Sequence, residues 1–219
     1  METKVKEEFS DLARIDDVFD DPLDLFRSWH SEARKYKSNM PDGLCLATTN
    51  KDNKVAARTV VLREFDNDGF VLVTDKRSRK SSELTSVPHA AMCFLWCYIN
   101  DEGQNIARQV RTEGTIVKLE PTKFKHLYDR EPLFCKIRSH LCHQDSEVEW
   151  DDLKRRHDEL LEEYRRGKNT LEMPDHFIGY KLLPTVVEFY YARDELIGDR
   201  IHYRRNSVTQ PWERRRLAA

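Results

Sequence analysis

The chain has 219 residues, enough for one good-sized domain or two small ones. Hydrophobic residues make up 39% and charged residues 35%, the balance of a globular protein with a heavily charged surface. The 37 basic and 39 acidic residues leave a formal net charge of −2, which removes any whole-molecule electrostatic argument for nucleic acid or membrane binding, so an anion site has to be local.

Taken in chain order, the first ~20 residues are acidic and weakly patterned and read as a flexible N-terminal arm, with one domain spanning residues 21–219. The opening Met1–Glu8 is charged and lacks the apolar stretch of a signal peptide, and no apolar run approaches the ~20 residues that span a bilayer. Asp21-Pro22 opens a helix to about Lys37, with the carboxylate as cap, proline in the first turn, and Leu25, Phe26 and Trp29 at helical spacing. Met40–Gly43 is a turn. Strands are expected over Leu44–Thr49, Val55–Arg63 and Phe70–Thr74, joined at Lys51–Lys54 and at Asp66–Gly69.

Ser78–Ser86 reads as a short helix, followed by a strand pair Ala90–Tyr98 and Ala107–Leu119. Two helical stretches follow near Pro121–Tyr128 and Pro132–His140, then a charged amphipathic helix over Trp150–Arg166 with Leu153, Leu160, Leu161 and Tyr164 on one side. Strands near Phe177–Leu182, Val186–Tyr191 and Ile201–Arg205 complete the chain. Short strands, hairpin turns and flanking helices imply an α+β fold built on a mainly antiparallel barrel. Met92–Trp96 is apolar on both faces, so helices or a partner must cover it twice over.

The five cysteines, Cys45, Cys93, Cys97, Cys135 and Cys142, are odd in number and fit no disulfide framework, which points to a reducing, cytoplasmic setting. His140-Leu141-Cys142-His143 with Cys135 upstream matches no common zinc spacing, so no metal site is assigned. Nothing orients a base for a Cys–His nucleophilic pair either, and no catalytic residue is named. The basic runs Arg204-Arg205 and Arg214–Arg216 lack the aromatic interleaving of an RNA-binding surface and read as a solvated tail.

The most informative stretch is Ala57–Arg63, followed by Gly69–Thr74 and Ser78-Arg79-Lys80. It gathers Arg58, Arg63, Thr74, Arg79 and Lys80 near two strand ends and a helix N-terminus, a plausible phosphate site or else an ordinary solvated basic face.

The chain resembles the pyridoxine (pyridoxamine) 5′-phosphate oxidase family over nearly its whole length. The resemblance is carried by the ordered set of Asp21-Pro22, the Ala-Arg-x-x-x-Leu-(Lys/Arg) strand, Gly69-Phe70, Ser78-Arg79-Lys80, Arg108–Arg111, Glu113-Gly114, Gln144, Ser146, Glu188-Phe189, Asp199-Arg200 and Arg216-Leu217-Ala218. It implies a split β-barrel, a homodimer with FMN at its interface, and FMN-dependent oxidation of a small phosphorylated substrate, pyridoxine or pyridoxamine 5′-phosphate, to pyridoxal 5′-phosphate and hydrogen peroxide. By the same resemblance the flavin phosphate and ribityl contacts fall on Arg58, Arg79 and Lys80. The strand Arg58, Thr59, Val60, Val61, Leu62 and Arg63, with Val73 and Thr74, flanks the ring. Gln109, Gln144, Tyr190 and Arg200 complete the site from the same or the partner subunit, with Tyr190 in place of a more usual Trp, and Arg63 touches substrate.

Two places depart from the family pattern. Its substrate-phosphate clamp, Tyr-x-x-x-Arg-x-x-x-Ser, falls on Leu127, Glu131 and Cys135, and a carboxylate at the arginine position is expected to repel phosphate. Its Arg-x-His-Asp-Arg segment falls on Leu196–Arg200, where only Asp199 and Arg200 match. The alternative reading is therefore an FMN-binding homologue with a different substrate, or a non-catalytic flavin- or pyridoxal-phosphate-binding protein.

Overall fold

The computed structural model describes residues 10–219. Helix α1 (Pro22–Lys35) begins where the cap signal puts it: Asp21 stays extended and its carboxylate accepts the Leu23 N–H at 2.9 Å. Its inner face buries Leu25, Phe26, Trp29 and Ala33, and Phe26 meets Phe65, Phe70 and Phe94 edge-on with ring centroids 4.8–5.0 Å apart.

Nine antiparallel strands are found among the described residues: β1 (Gly43–Thr49), β2 (Val55–Val61), β3 (Glu64–Phe65), β4 (Phe70–Asp75), β5 (His89–Ile99), β6 (Asn105–Lys118), β7 (Phe177–Arg193), β8 (Asp199–Arg204) and β9 (Glu213–Leu217). They run in the order β2-β1-β5-β6-β7-β4-β3, and β7 branches, pairing with β4 through its first half and with β8 through its second. The ladder path ends at β2 and β3, so the sheet curls around the core as a split rather than a closed barrel. Leu46, Met92, Phe94, Trp96, Val110 and Phe189 fill the inside. Helix α2 (Arg79–Ser86) follows β4. Helices α3 (Lys125–Asp129), α4 (Leu133–Leu141) and α5 (Trp150–Arg165) sit between β6 and β7.

Three sequence expectations need correction. The two strands expected at Phe177–Leu182 and Val186–Tyr191 are one strand of 17 residues. Pro184 is tolerated because the β6–β7 register shifts between Glu113 and Gly114, and the backbones close in there: a side chain on Gly114 would lie 2.1 Å from the Leu183 carbonyl oxygen. The arginine run Arg214–Arg216, expected as a solvated tail, is exposed as expected but forms the body of β9, paired with β8. Helix α5 forms where expected, with Leu153, Leu160 and Leu161 half-buried and Tyr164 exposed.

The third correction concerns the arm. Of the segment expected to be mobile, residues 1–9 lie outside the described residues, but the described part is tied down. Asp11 O and the Ala13 N–H bond to Ile197 at 2.9 and 2.8 Å, and Ala13 and Ile15 are buried. The Ile15 N–H donates to Asp199 Oδ2 at 2.7 Å, and Arg216 reaches the Ile15 carbonyl at 3.1 Å. Arg216 also lies 3.5 Å from Asp199 Oδ2, so Asp199, at the start of β8, bridges Ile15 and Arg216.

Met92, Phe94 and Trp96 are buried beneath α1, whereas Leu95 on the opposite face of β5 is 59% exposed. The double-sided apolar strand therefore has one face uncovered in the single chain.

Candidate functional site

Arg58 stands opposite Leu46 in the β1–β2 ladder, on the core side of the sheet, and reaches over the barrel end toward α2. Its guanidinium donates to the Leu46 carbonyl at 3.3 Å, to Thr48 Oγ1 at 2.5 Å and to Glu83 Oε2 at 3.0 Å. Glu83, one turn along α2 from Arg79, takes the Arg79 Nε–H at 2.7 Å and the Thr48 hydroxyl at 2.5 Å. Burial pushes the Glu83 carboxyl up, but hydrogen bonds from Thr48, Arg79 and Arg58 outweigh it and hold the group below the usual carboxylate range. One buried carboxylate thus fixes two arginines.

Lys80 projects into the same corner from the first turn of α2. Its Nζ donates to Thr74 Oγ1 at 3.2 Å and to Gln144 Oε1 at 2.9 Å, both neutral acceptors. The residue is 8% exposed, and among the described residues no carboxylate oxygen comes within ion-pair distance of it. Burial lowers its pKa, and the Arg58 charge lowers it further. Ser78 spends its hydroxyl on the Asp75 carbonyl at 2.7 Å rather than capping the helix amides. The corner therefore holds Arg58, Arg79 and Lys80 against two carboxylates, Glu83 and Asp145, whose Oδ2 accepts the Arg79 N–H at 3.1 Å, and the remaining excess of positive charge is one that an anion with several acceptor oxygens would neutralise.

Thr59, Val60, Val61 and Leu62 carry the β2 strand past this corner to Arg63, while Val73 and Thr74 end β4 beside it. Leu62 is buried, its N–H held by the Asp42 carbonyl at 2.7 Å, and the Arg63 N–H by Val71 at 3.0 Å. The Arg63 guanidinium pairs with Glu131 Oε1 at 2.8 Å.

Gln109, Tyr190 and Arg200 are brought together, but elsewhere. They form one cross-strand row over β6, β7 and β8. Gln109 is three residues before Thr112, which shares the ladder row of Arg58, Leu46 and Met92, so the row lies on the opposite, outer face of the sheet. Arg200 lies over the Tyr190 ring at 5.5 Å and approaches Glu188 Oε1 at 3.5 Å, and its buried Nε has no partner. Gly198 is needed here: a Cβ would sit 2.6 Å from the Tyr190 hydroxyl. The ring of Tyr190 fills the space a side chain at 198 would take.

The residue reading missed Thr48 and Glu83, although Glu83 stands four residues after Arg79 on a helix expected from sequence, the spacing of an ion pair. It also read Glu131 only as a lost cation, not as the partner of Arg63. Among the described residues, no three of His, Cys, Asp or Glu are placed to hold a metal ion. His140 instead bonds the Glu172 carbonyl at 2.8 Å and Tyr128 at 3.2 Å.

Against known proteins, residues 33–139 match the family described as pyridoxamine 5′-phosphate oxidase, and residues 177–219 match the pyridoxine 5′-phosphate oxidase C-terminal dimerisation region. A pyridoxine/pyridoxamine 5′-phosphate oxidase of Salinibacter ruber is 34% identical over 210 residues, covering 95% of this chain and 94% of its own. One from Pelagibacter ubique is 33% identical, covering 85% and 86%. Among solved structures, PhzG from Burkholderia lata 383, in complex with tetrahydrophenazine-1-carboxylic acid, superposes with a TM-score of 0.81 at 26% identity over 94% of this chain and 100% of that one. An FMN-binding protein of Nostoc punctiforme has the same fold, with a TM-score of 0.66 at 18% identity over 89% of this chain and 97% of that one.

Proposed function

This chain belongs to the pyridoxamine 5′-phosphate oxidase family, and from that premise we propose that it is an FMN-dependent oxidase of pyridoxine and pyridoxamine 5′-phosphate, yielding pyridoxal 5′-phosphate and hydrogen peroxide. The observation that carries the reading is the buried Lys80 ammonium, paired with no carboxylate and set beside Arg58 and Arg79 at the start of α2. These residues fit the phosphate of a flavin mononucleotide. An anion there would relieve the mutual repulsion of Lys80 and Arg58 and gain charge-assisted hydrogen bonds.

When bound, FMN supplies the two-electron acceptor that molecular oxygen reoxidises. The protein's part is to bind and orient. Arg58, Arg79 and Lys80 hold the phosphate and ribityl end. Thr59, Val60, Val61, Leu62, Val73 and Thr74 flank the ring, and Gln144 steadies Lys80. Gln109, Tyr190 and Arg200 lie on the opposite face of the sheet from Arg58, so a second copy of the chain contributes them. The buried Arg200 Nε has no acceptor within the single chain's described residues, and such a group calls for one. This is the physical reason for a homodimer, in which residues 21–219 act as one flavin-binding domain and the exposed side of β5 is covered. Arg63 is assigned to the substrate. Unpaired thiols throughout the described residues suit a cytoplasmic setting.

A second reading, a family member with another substrate or with none, is favoured by Tyr190 filling the space above Gly198. One experiment separates the two. The purified protein is expected to be yellow, with a flavin spectrum, and to release peroxide when given pyridoxine 5′-phosphate. Bound flavin without turnover selects the second reading, and a protein that takes up no FMN rejects both.

A further inference from the structure

We propose that Glu131 is a specificity-determining residue: an internal carboxylate that occupies the Arg63 guanidinium and narrows the advantage a phosphate ester has over its uncharged counterpart at the substrate corner. The inference rests on the reading of Arg63 as a substrate contact.

The geometry leaves Arg63 little freedom. Its backbone is pinned to Val71 and that of Leu62 to Asp42, so the guanidinium projects from a rigid strand end. Glu131 is equally fixed, at the turn between α3 and α4, with its own N–H on the Tyr128 carbonyl at 2.9 Å. The two side chains meet at 2.8 Å with relative exposures of 26% and 5%. Burial, more than any neighbouring charge, pushes the Cys135 thiol up, so it stays protonated and able to donate to Glu131. Of the nearby cations, Lys136 bonds the Asp129 carbonyl at 3.0 Å and Arg138 approaches the Cys135 sulfur at 3.6 Å, so among the described residues Arg63 is the one cation within ion-pair distance of Glu131.

The Arg63 charge is thus paired before any ligand arrives. A phosphate ester has two ways in. It displaces Glu131 from Arg63 and leaves a nearly inaccessible carboxylate without its cation, or it binds alongside and meets that carboxylate's negative charge. Both weaken binding of the dianion. A hydroxymethyl group in the same place disturbs neither partner.

The test uses the full-length, FMN-loaded protein and an unreactive ligand pair, 4-deoxypyridoxine 5′-phosphate and 4-deoxypyridoxine, titrated by flavin or tryptophan fluorescence. The wild-type protein is expected to favour the phosphate ester by less than about tenfold, since Arg63 supplies no free charge-assisted contact. Glu131→Gln is expected to tighten the phosphate ester about tenfold or more while moving the unphosphorylated ligand by less than about threefold. The gain is expected to vanish when Arg63→Gln is added, because the freed guanidinium is its source. A wild-type preference for the phosphate ester above about a hundredfold would overturn the proposal without any variant, and so would unchanged or weaker phosphate binding in a folded Glu131→Gln protein. If neither pyridoxine 5′-phosphate nor pyridoxine is turned over but the binding ratios shift as stated, the oxidase reading falls and the role of Glu131 stands.

Discussion

Two buried glutamates hold arginines in this molecule, and they leave opposite electrostatic outcomes. Glu83 ties down Arg58 and Arg79 but, with Lys80 beside them, remains outnumbered, so its corner keeps a surplus of positive charge. Glu131 meets Arg63 one to one and cancels it. The same residue type organises a binding site in the first case and closes one in the second. What decides is the count of cations around each carboxylate, not the presence of an arginine. An inventory of basic residues therefore overstates how many anions the protein can hold.

The largest expected effect that tests this contrast is at Lys80. Lys80→Met keeps the stem's volume and removes the surplus charge, and FMN affinity is expected to fall about 30- to 100-fold, measured by fluorescence titration of the apoprotein. A loss below threefold would mean the corner is no phosphate site. Next comes Glu83→Gln. Removing a negative charge would, on charge alone, strengthen anion binding. The geometry gives the reverse, because Arg58 and Arg79 lose the acceptor that aims them. FMN affinity is expected to fall by about tenfold and stability by about 1–3 kcal/mol, read by titration and thermal melting. Tighter flavin binding in Glu83→Gln would erase the distinction between the two glutamates.

The sequence made one of these corners visible and hid the other, for a physical reason. Arg58, Thr74, Arg79 and Lys80 fall within a short span of chain where a strand, a turn and a helix start follow one another, so local patterns were enough to gather them. The same held for the α1 cap and the β1–β2 hairpin. Arg63 and Glu131 are 68 positions apart, and their meeting depends on how the turn between α3 and α4 is placed against the end of β2. Nor does period-two alternation within one strand reveal that Gln109 and Arg58 face opposite sides of the sheet; that follows only from the ladder register across β1, β5 and β6. Pro184 misled for a related reason. A proline usually breaks a strand, and only the close approach permitted by Gly114 on the neighbouring strand makes room for it. Family resemblance placed the site residues without geometry, and so left open which of them act in one chain.

The smallest expected effect is also the one whose sign discriminates best. Burial and the Arg58 charge hold the free protein's Lys80 below its ordinary value near ~10.4, and a bound phosphate dianion would raise it again. Flavin affinity is therefore expected to be full where Lys80 is protonated in the free protein, and to decline as pH rises through that lowered value. The apoprotein is expected to respond in the opposite sense. Over the interval between the lowered folded value and the unfolded one, the unfolded chain binds more protons at this site, so its contribution to apoprotein stability increases with pH. A few-fold loss of FMN affinity over alkaline pH, accompanied by no matching loss of apoprotein stability and abolished in Lys80→Met, would assign both effects to one ammonium. At the Arg63 corner, where Glu131 already supplies the counter-charge, the same series with 4-deoxypyridoxine 5′-phosphate is expected to show no such alkaline dependence. A parallel decline at both corners would mean that the whole molecule's charge, rather than the number of cations around each glutamate, governs anion binding.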